Sequence, residues 1–277
     1  MSALLPVVGS HAATTAFCSV QLEGPGGSLW LDGNGKITAG NGTLLDPKPN
    51  ALSLLPGNTD ERRKAGHCPG STSVCRASCY TAGIEEHQAA TFALYAHNSA
   101  MLDELLALPA RWQVEWADVL GSWIAENAAG GFRWHVSGDV ASESHAEWIA
   151  EVCLASPSVR HWIYTRSFDQ AEPLAEISNL ALNLSCDADN YEQALRFRER
   201  FGGRLCYLTT DGTTPNLPME SIVFPDYALR VREGNPEPTW LAALPRHTRK
   251  GVCPVDLLGK TEQRRCGPCS MCLDDPS

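Results

Sequence analysis

A chain of 277 residues with 43% hydrophobic content can bury a real core without disulfides, as one large domain or two small ones. Its net charge of −10 excludes a protein that coats nucleic acid through bulk positive charge. No apolar run reaches the roughly eighteen residues a bilayer span needs, and Met1–Val20 lacks the positive start of a secretory signal. A cytoplasmic chain with no membrane association is therefore expected, and there disulfides are rare.

The first fifty residues, rich in Gly, Ser, Thr and Pro, read as an irregular extension with short strands at Phe17–Leu22 and Ser28–Leu31. Ala51–Leu55, closed by Pro56-Gly57, reads as the first buried strand, with a long cysteine-bearing loop after it. Helices are expected over Ile84–Leu108 and Trp112–Ala128, separated at Pro109. An alternation then sets in. Phe132–Val136 reads as strand, Ser142–Ala155 as helix with Ser142 as N-cap, His161–Tyr164 as strand and Phe168–Ile177 as helix. Leu180–Leu184 (strand), Asn190–Phe201 (helix), Leu205–Leu208 and Ile222–Phe224 (strands) continue it. Strands alternating with helices argue for a parallel sheet and an α/β fold. About six strands suit a partial barrel or an open sheet better than a full eight-stranded barrel.

Each strand runs into a polar tip: Ser137-Gly138-Asp139, Thr165-Arg166-Ser167, Ser185-Cys186-Asp187 and Thr209-Thr210-Asp211. Such residues serve as turns and N-caps anywhere. Four in succession, at the carboxyl ends of parallel strands, predict a shared functional face.

Seven of the eleven cysteines fall into two groups, Cys68, Cys75 and Cys79, and Cys253, Cys266, Cys269 and Cys272. Clustered thiols in a reducing compartment point to soft metals or iron–sulfur clusters. Cys266-x2-Cys269-x2-Cys272 plus Cys253 supplies four ligands. Three closely spaced cysteines with a distant fourth resemble a [4Fe–4S] binding run more than the paired knuckles of structural zinc, which stays the alternative. The first group has three thiols, which would leave one cluster iron open; a zinc site completed by His67 or His87 is its alternative. Cys18, Cys153, Cys186 and Cys206 read as buried small hydrophobes, and the eight tryptophans as core. Two arginine-rich intervals, Arg196–Arg204 and Arg246–Arg265, are candidate local nucleic-acid contacts.

The loop pattern Cys68-x6-Cys75-x3-Cys79-Tyr80, the tips Ser137-Gly138-Asp139 and Tyr164-Thr165-Arg166-Ser167, Pro69-Gly70, Asn98 and Cys253-Pro254 together resemble the phage gene 88 protein family, over about Ala51 to Cys272. That family is in turn similar to radical S-adenosylmethionine (SAM) enzymes. The resemblance implies a partial (β/α)6 TIM-like barrel over 51–240, with a cysteine-rich, cluster-binding extension over 241–277. It implies that Cys68, Cys75 and Cys79 hold a [4Fe–4S] whose open iron takes SAM, and that Cys253, Cys266, Cys269 and Cys272 hold a second cluster. Ser137, Gly138, Asp139, Ser185 and Tyr80 would bind the cofactor, and Asp139, Thr165 and Arg166 would serve catalysis. The substrate implied is a small molecule or nucleotide, or a base in DNA, with an external electron donor, in the host cytoplasm. The cysteine spacing departs from the usual Cys-x3-Cys-x2-Cys, and no Gly-Gly-Glu motif follows the second strand. The competing expectation is a non-enzymatic zinc or iron–sulfur protein that binds nucleic acid, with both cysteine groups structural.

Overall fold

The computed structural model of the chain describes residues 18–33, 49–83, 87–231, 237–258, 269 and 271–272. Within them lies a single eight-stranded sheet whose spatial order is the chain order. β1 (Cys18–Gly24) and β2 (Gly27–Gly33) form a hairpin, and β2 pairs antiparallel with the two-residue β3 (Ala51–Leu52). From β3 onward every pairing is parallel, through β4 (Phe132–Trp134), β5 (His161–Thr165), β6 (Leu180–Cys186), β7 (Arg204–Thr209) and β8 (Ile222–Pro225). The outermost strands β1 and β8 do not pair, so the sheet is open. The first fifty residues thus contribute two strands to the same sheet as the parallel unit.

Between β3 and β4 the chain makes two short helices, α1 (Asp60–Lys64) and α2 (Ser73–Ala77), then two long ones, α3 (Ala89–Ala107) and α4 (Ala110–Asn127). The break at Pro109 falls where expected, because proline cannot continue the ladder of α3 but fits the start of α4. α5 (Glu143–Ala155) follows β4, with Ser142 accepting from the His145 amide at 3.2 Å as the expected cap. α6 (Tyr191–Phe201) joins β6 to β7. Beyond β8 lie α7 (Thr239–Ala243), α8 (Arg246–Lys250) and α9 (Pro254–Leu258).

Two expected elements differ. Phe168–Ile177 is not an α-helix but two 3-10 turns, Phe168–Gln170 and Glu172–Leu174. Pro173 removes an amide there, and the link is too short to repay a nucleated α-helix. β4 stops at Trp134 rather than Val136, because His135 adopts φ +60 and turns the chain out of the ladder.

Alternation along the strands gives the sheet two different faces. Leu52, Phe132, Trp134, Ile163, Leu182, Leu184, Leu205 and Val223 enter the large core beneath α3–α6. Phe132 and Trp134 meet edge to face at 5.2 Å, and Trp134 meets Trp148 at 6.0 Å. The opposite face carries two smaller apolar clusters: Ala51, Trp162 and Ala181 in one, Cys206 and Ile222 in the other, with Tyr164 and Phe224 alongside. The chain's tail packs on that second face through Met271, Cys272, Cys253 and Val255. No helix among the described residues is long and apolar enough to cross a membrane.

Candidate functional site

The first cysteine group sits on the loop leaving β3, at the carboxyl ends of the parallel strands. Thr72 caps α2 by accepting from the Cys75 amide at 2.9 Å, and its hydroxyl donates to Asp187 beyond β6 at 2.6 Å. Ser73 donates to Asp189 on the same turn. Cys68 adopts φ +46, and its sulfur accepts from the Gly57 amide at 3.2 Å. Gly70 presses on the β5 tip: a Cβ there would stand 2.1 Å from the Arg166 carbonyl oxygen, so only glycine lets the loop lie this close. Tyr80 ties the far end of the loop down, its hydroxyl donating to the Val136 carbonyl while the residue stays 68% exposed.

The three thiols share one electrostatic neighbourhood. Burial raises the Cys68 thiol's affinity for its proton, and nearby Asp139, Cys75 and Cys79 raise it further. Cys75 is raised mainly by burial too, with Arg166 opposing and Cys79, Asp139 and Asp187 adding. Thiols in this state are poor nucleophiles; a metal ion, by replacing the proton, would supply the missing positive charge.

The strand tips are cross-linked to one another. Asp139 is buried and accepts from the Arg166 amide at 2.9 Å and the Val140 amide at 2.7 Å. Burial raises its pKa, offset in part by those bonds and by the Thr165 and Ser167 hydroxyls. Thr165 is buried and accepts from the Ser167 amide at 3.0 Å. Arg166 reaches the fully buried Asp187 at 3.3 Å. Gly138 takes φ +89 and turns the β4 tip against Leu54, where a Cβ would approach to 2.6 Å. Ser185 lies half-buried on β6.

The structure therefore gathers Cys68, Cys75, Cys79, Asp139 and Arg166 at one place, with Thr165, Ser137 and Gly138 on the adjoining tips. Asp187 organises the site, and sequence reading had it only as one strand-tip residue among several. It joins the thiol loop, through Thr72, to β5, through Arg166, and its place after an apolar strand was the available signal. Two serines around the same face, Ser71 and Ser137, have buried hydroxyl oxygens with no hydrogen-bond partner among the described residues. Leaving such groups unsatisfied costs about 1–3 kcal/mol each, which marks a face built to meet something polar.

The second group is only partly within the described residues: Cys266 lies outside them. Cys253 is buried, and its amide donates to the Val223 carbonyl at 2.8 Å. Cys269 and Cys272 are half-buried. Asn183 donates to the Cys272 carbonyl at 3.1 Å, and Arg204 donates to the Met271 carbonyl. No group of three or more His, Cys, Asp or Glu side chains among the described residues is arranged to hold a single metal ion. A four-iron cube binds each thiolate at a different iron, so its ligand sulfurs need not converge on one point. Donor sets made of thiols alone suit an iron–sulfur cluster and a four-cysteine zinc site alike.

Part of each arginine-rich interval is engaged within the chain. Arg198 pairs with Glu220, Arg204 holds the tail, and Arg249 lies 3.7 Å from Glu237. Lys260, Arg264 and Arg265 lie outside the described residues.

A family model described as "Gene product 88" matches residues 28–275. Two curated relatives, each named "Gene 88 protein", come from mycobacteriophages. That of phage L5 is 29% identical over 153 residues, covering 52% of this chain and 61% of the relative. That of phage D29 is 31% identical over 150 residues, with the same coverage of 52% and 61%. The match thus spans less than two thirds of the curated relatives' length. No solved structure matches. None of these similarities reaches a radical-SAM enzyme, so that half of the resemblance rests on the residues alone. With the family model covering both cysteine groups and the strand tips between them, the chain belongs to the Gene product 88 family of phage-related proteins.

Proposed function

We propose that the protein is an iron–sulfur enzyme of radical-SAM type that modifies a nucleobase, a nucleotide or a base in DNA. One observation carries the reading: a three-thiol loop leaves the first parallel strand and docks on the strand tips, beside the buried Ser71 and Ser137 hydroxyls, which have no partner among the described residues. The reading treats the open sheet as a partial (β/α)6 barrel with the tail lying on its inner face.

In this reading Cys68, Cys75 and Cys79 would hold a [4Fe–4S] cluster that takes SAM. The cluster's contribution when bound is a single electron for SAM, received from an external donor. The protein's own residues bind and orient. Ser137, Gly138 and Asp139 shape the β4 tip for the amino-acid end of the cofactor, with Ser185 across the face and Tyr80 at the loop's end. Thr165 is held by the Ser167 amide, and Arg166 by Asp187, so the β5 tip presents a fixed cation to an anionic substrate or cofactor group. Cys253, Cys266, Cys269 and Cys272 supply a second cluster. A base within DNA would enter single-stranded or flipped out of its duplex.

Anaerobic reconstitution tests this directly. A brown protein with about eight irons per chain is expected for two such clusters. SAM should then alter the electron paramagnetic resonance signal of the reduced protein. Colourless protein with stoichiometric zinc would overturn the reading in favour of a structural, non-enzymatic nucleic-acid-binding protein. Iron whose signal ignores SAM would leave an iron–sulfur protein without radical chemistry.

A further inference from the structure

Strand β2 puts a carboxyl on the second face of the sheet. Asp32 pairs with Ala51 of β3, Ala51 with Arg133 of β4, and Arg133 with Trp162 of β5, so the four side chains form one row across that face. The methyl of Ala51 keeps the sheet low between the two charged residues. Asp32 is buried and held from one side: its Oδ2 accepts from the Ser53 hydroxyl at 3.0 Å and from the Tyr95 hydroxyl at 3.5 Å. Its Oδ1 has no hydrogen-bond partner among the described residues. Ser53 accepts from the Val136 amide at 3.2 Å, and the Val136 carbonyl accepts from Tyr80, so a short chain of bonds joins Asp32 to the end of the thiol loop. Asn98, one turn beyond Tyr95 on α3, is the instructive contrast. Its side chain accepts from the Trp30 amide at 2.8 Å and donates to the carbonyls of Trp30 at 2.8 Å and Ser53 at 3.0 Å. Where the fold clasps β2 to β3, it uses a neutral amide bonded on both its oxygen and its nitrogen.

We propose that Asp32 binds the substrate, its Oδ1 accepting a hydrogen bond from the exocyclic amine of a base, so that bases with an amine are selected over bases with a carbonyl in its place. The proposal rests on the reading that the substrate is a base or nucleotide, and names the edge by which it is recognised. The competing account makes Asp32 a strut between β2 and β3. A strut needs no ionisable group, as Asn98 shows, and a buried carboxyl with one oxygen unbonded is costlier than an amide. Burial raises the Asp32 carboxyl from 3.8 to about 7, with Ser53, Arg133, Tyr95 and its own amide opposing. An N–H donor at Oδ1 favours the ionised form and offsets that burial. Ala51, Val136 and Trp162 form one apolar cluster beside the carboxyl, which suits the faces of a flat ring read by a single acceptor. Discrimination is strong in such a place, because a carbonyl set against Oδ1 leaves two acceptors facing each other away from water.

The test uses the full chain, reconstituted anaerobically with iron and sulfide, and nucleotides in matched pairs. Cytidine and adenosine monophosphates carry the amine; uridine and inosine monophosphates carry a carbonyl there. Calorimetric titration should show each amine-bearing nucleotide binding about tenfold more tightly than its partner, the worth of one hydrogen bond to a charged group. Asp32→Asn should reverse the order, because Ser53 and Tyr95 hold the amide oxygen and leave its N–H groups facing the ligand as donors. Unchanged far-ultraviolet circular dichroism and elution volume would show that Asp32→Asn still folds. Cytidine monophosphate dimethylated on its amine needs no variant, and should bind no better than uridine monophosphate. No preference in the unaltered chain, the same preference in Asp32→Asn, or undiminished binding of the dimethylated nucleotide would each overturn the proposal. Iron content and the response to SAM, read on the same unaltered samples, test the thiol reading separately. Their absence beside an intact amine preference would overturn radical chemistry and leave Asp32 as the binding residue.

Discussion

The two thiol groups occupy opposite kinds of ground. Cys68, Cys75 and Cys79 ride a half-exposed loop at the strand tips, held by Gly70, Thr72 and Tyr80, near the buried Ser71 and Ser137 hydroxyls, which have no partner among the described residues. Cys253 and Cys272 lie against the apolar second face, with their backbone bonded to β6 and β8. The first group is built with open polar valences, the second with those around its backbone closed. On the proposed reading, chemistry belongs to the first and the second serves as a fastener or an electron relay.

The largest expected effect that separates them is Cys75→Ala. It should abolish any response to SAM and halve the iron, leaving the tail's absorption in place. Loss of all iron would make the two regions one site.

Acid should reveal a second contrast. His135, His145 and His161 are buried among the rings beneath the β4 and β5 tips, none of them near the tail. Desolvation lowers His135 and His161 to about 4, from 6.5, and lowers His145 well below 6.5. The unfolded chain therefore takes up protons between pH 6.5 and about 4 while the native state does not, and stability falls across that window. Asp32 acts in the opposite sense, since burial raises it from 3.8 to about 7 and its contribution grows as pH falls. Asp139, also raised by burial, acts in the same sense as Asp32; each two-unit shift is worth about 3 kcal/mol, so three histidines should outweigh the two carboxyls. Urea midpoints measured from pH 7 to pH 4.5 should fall. A flat profile would mean that these histidines are protonated in place.

Asp187→Asn should cost about 3–5 kcal/mol, because it strips the charge from a buried pair and weakens the Thr72 link. Thermal unfolding reads the stability loss, and iron content should drop in the first site only. Gly70→Ala should cost about 1–3 kcal/mol through overpacking against Arg166, with the same selective effect on iron. Tyr80→Phe should be smallest, about 1 kcal/mol for one hydrogen bond to Val136. Equal damage to tail iron in any of the three would erase the distinction drawn here.

Much of the scaffold was legible from residue order. Apolar runs ending in Ser, Thr or Asp located β5, β6 and β7, and Ser142 located the start of α5, because strand burial and capping act locally. The span Phe168–Ile177 misled because its apolar spacing is helical while Pro173 and a short link decide otherwise. Val136 read as strand because nothing local reveals that His135 turns to φ +60. Cysteine spacing revealed the two groups, and Cys206, expected as a buried small hydrophobe, is 1% exposed in an apolar cluster on β7. Asp187 was visible as a strand-tip residue, but its bridge to Thr72 spans more than a hundred positions.

The shortest strand sets the order of assembly. β3 is two residues long, and its Leu52 pairs with Trp134, some eighty positions later. All three cysteines of the first group lie inside the loop which that pairing closes. Closing a loop of this size is slow and entropically costly compared with forming the β1–β2 hairpin or the α3–α4 pair. What waits for that closure is the seating of the thiol loop on the strand tips, because Asp139, Arg166 and Asp187 all follow β4 in the chain. On the proposed reading, iron would therefore be delivered to a folded pocket rather than to a nascent peptide.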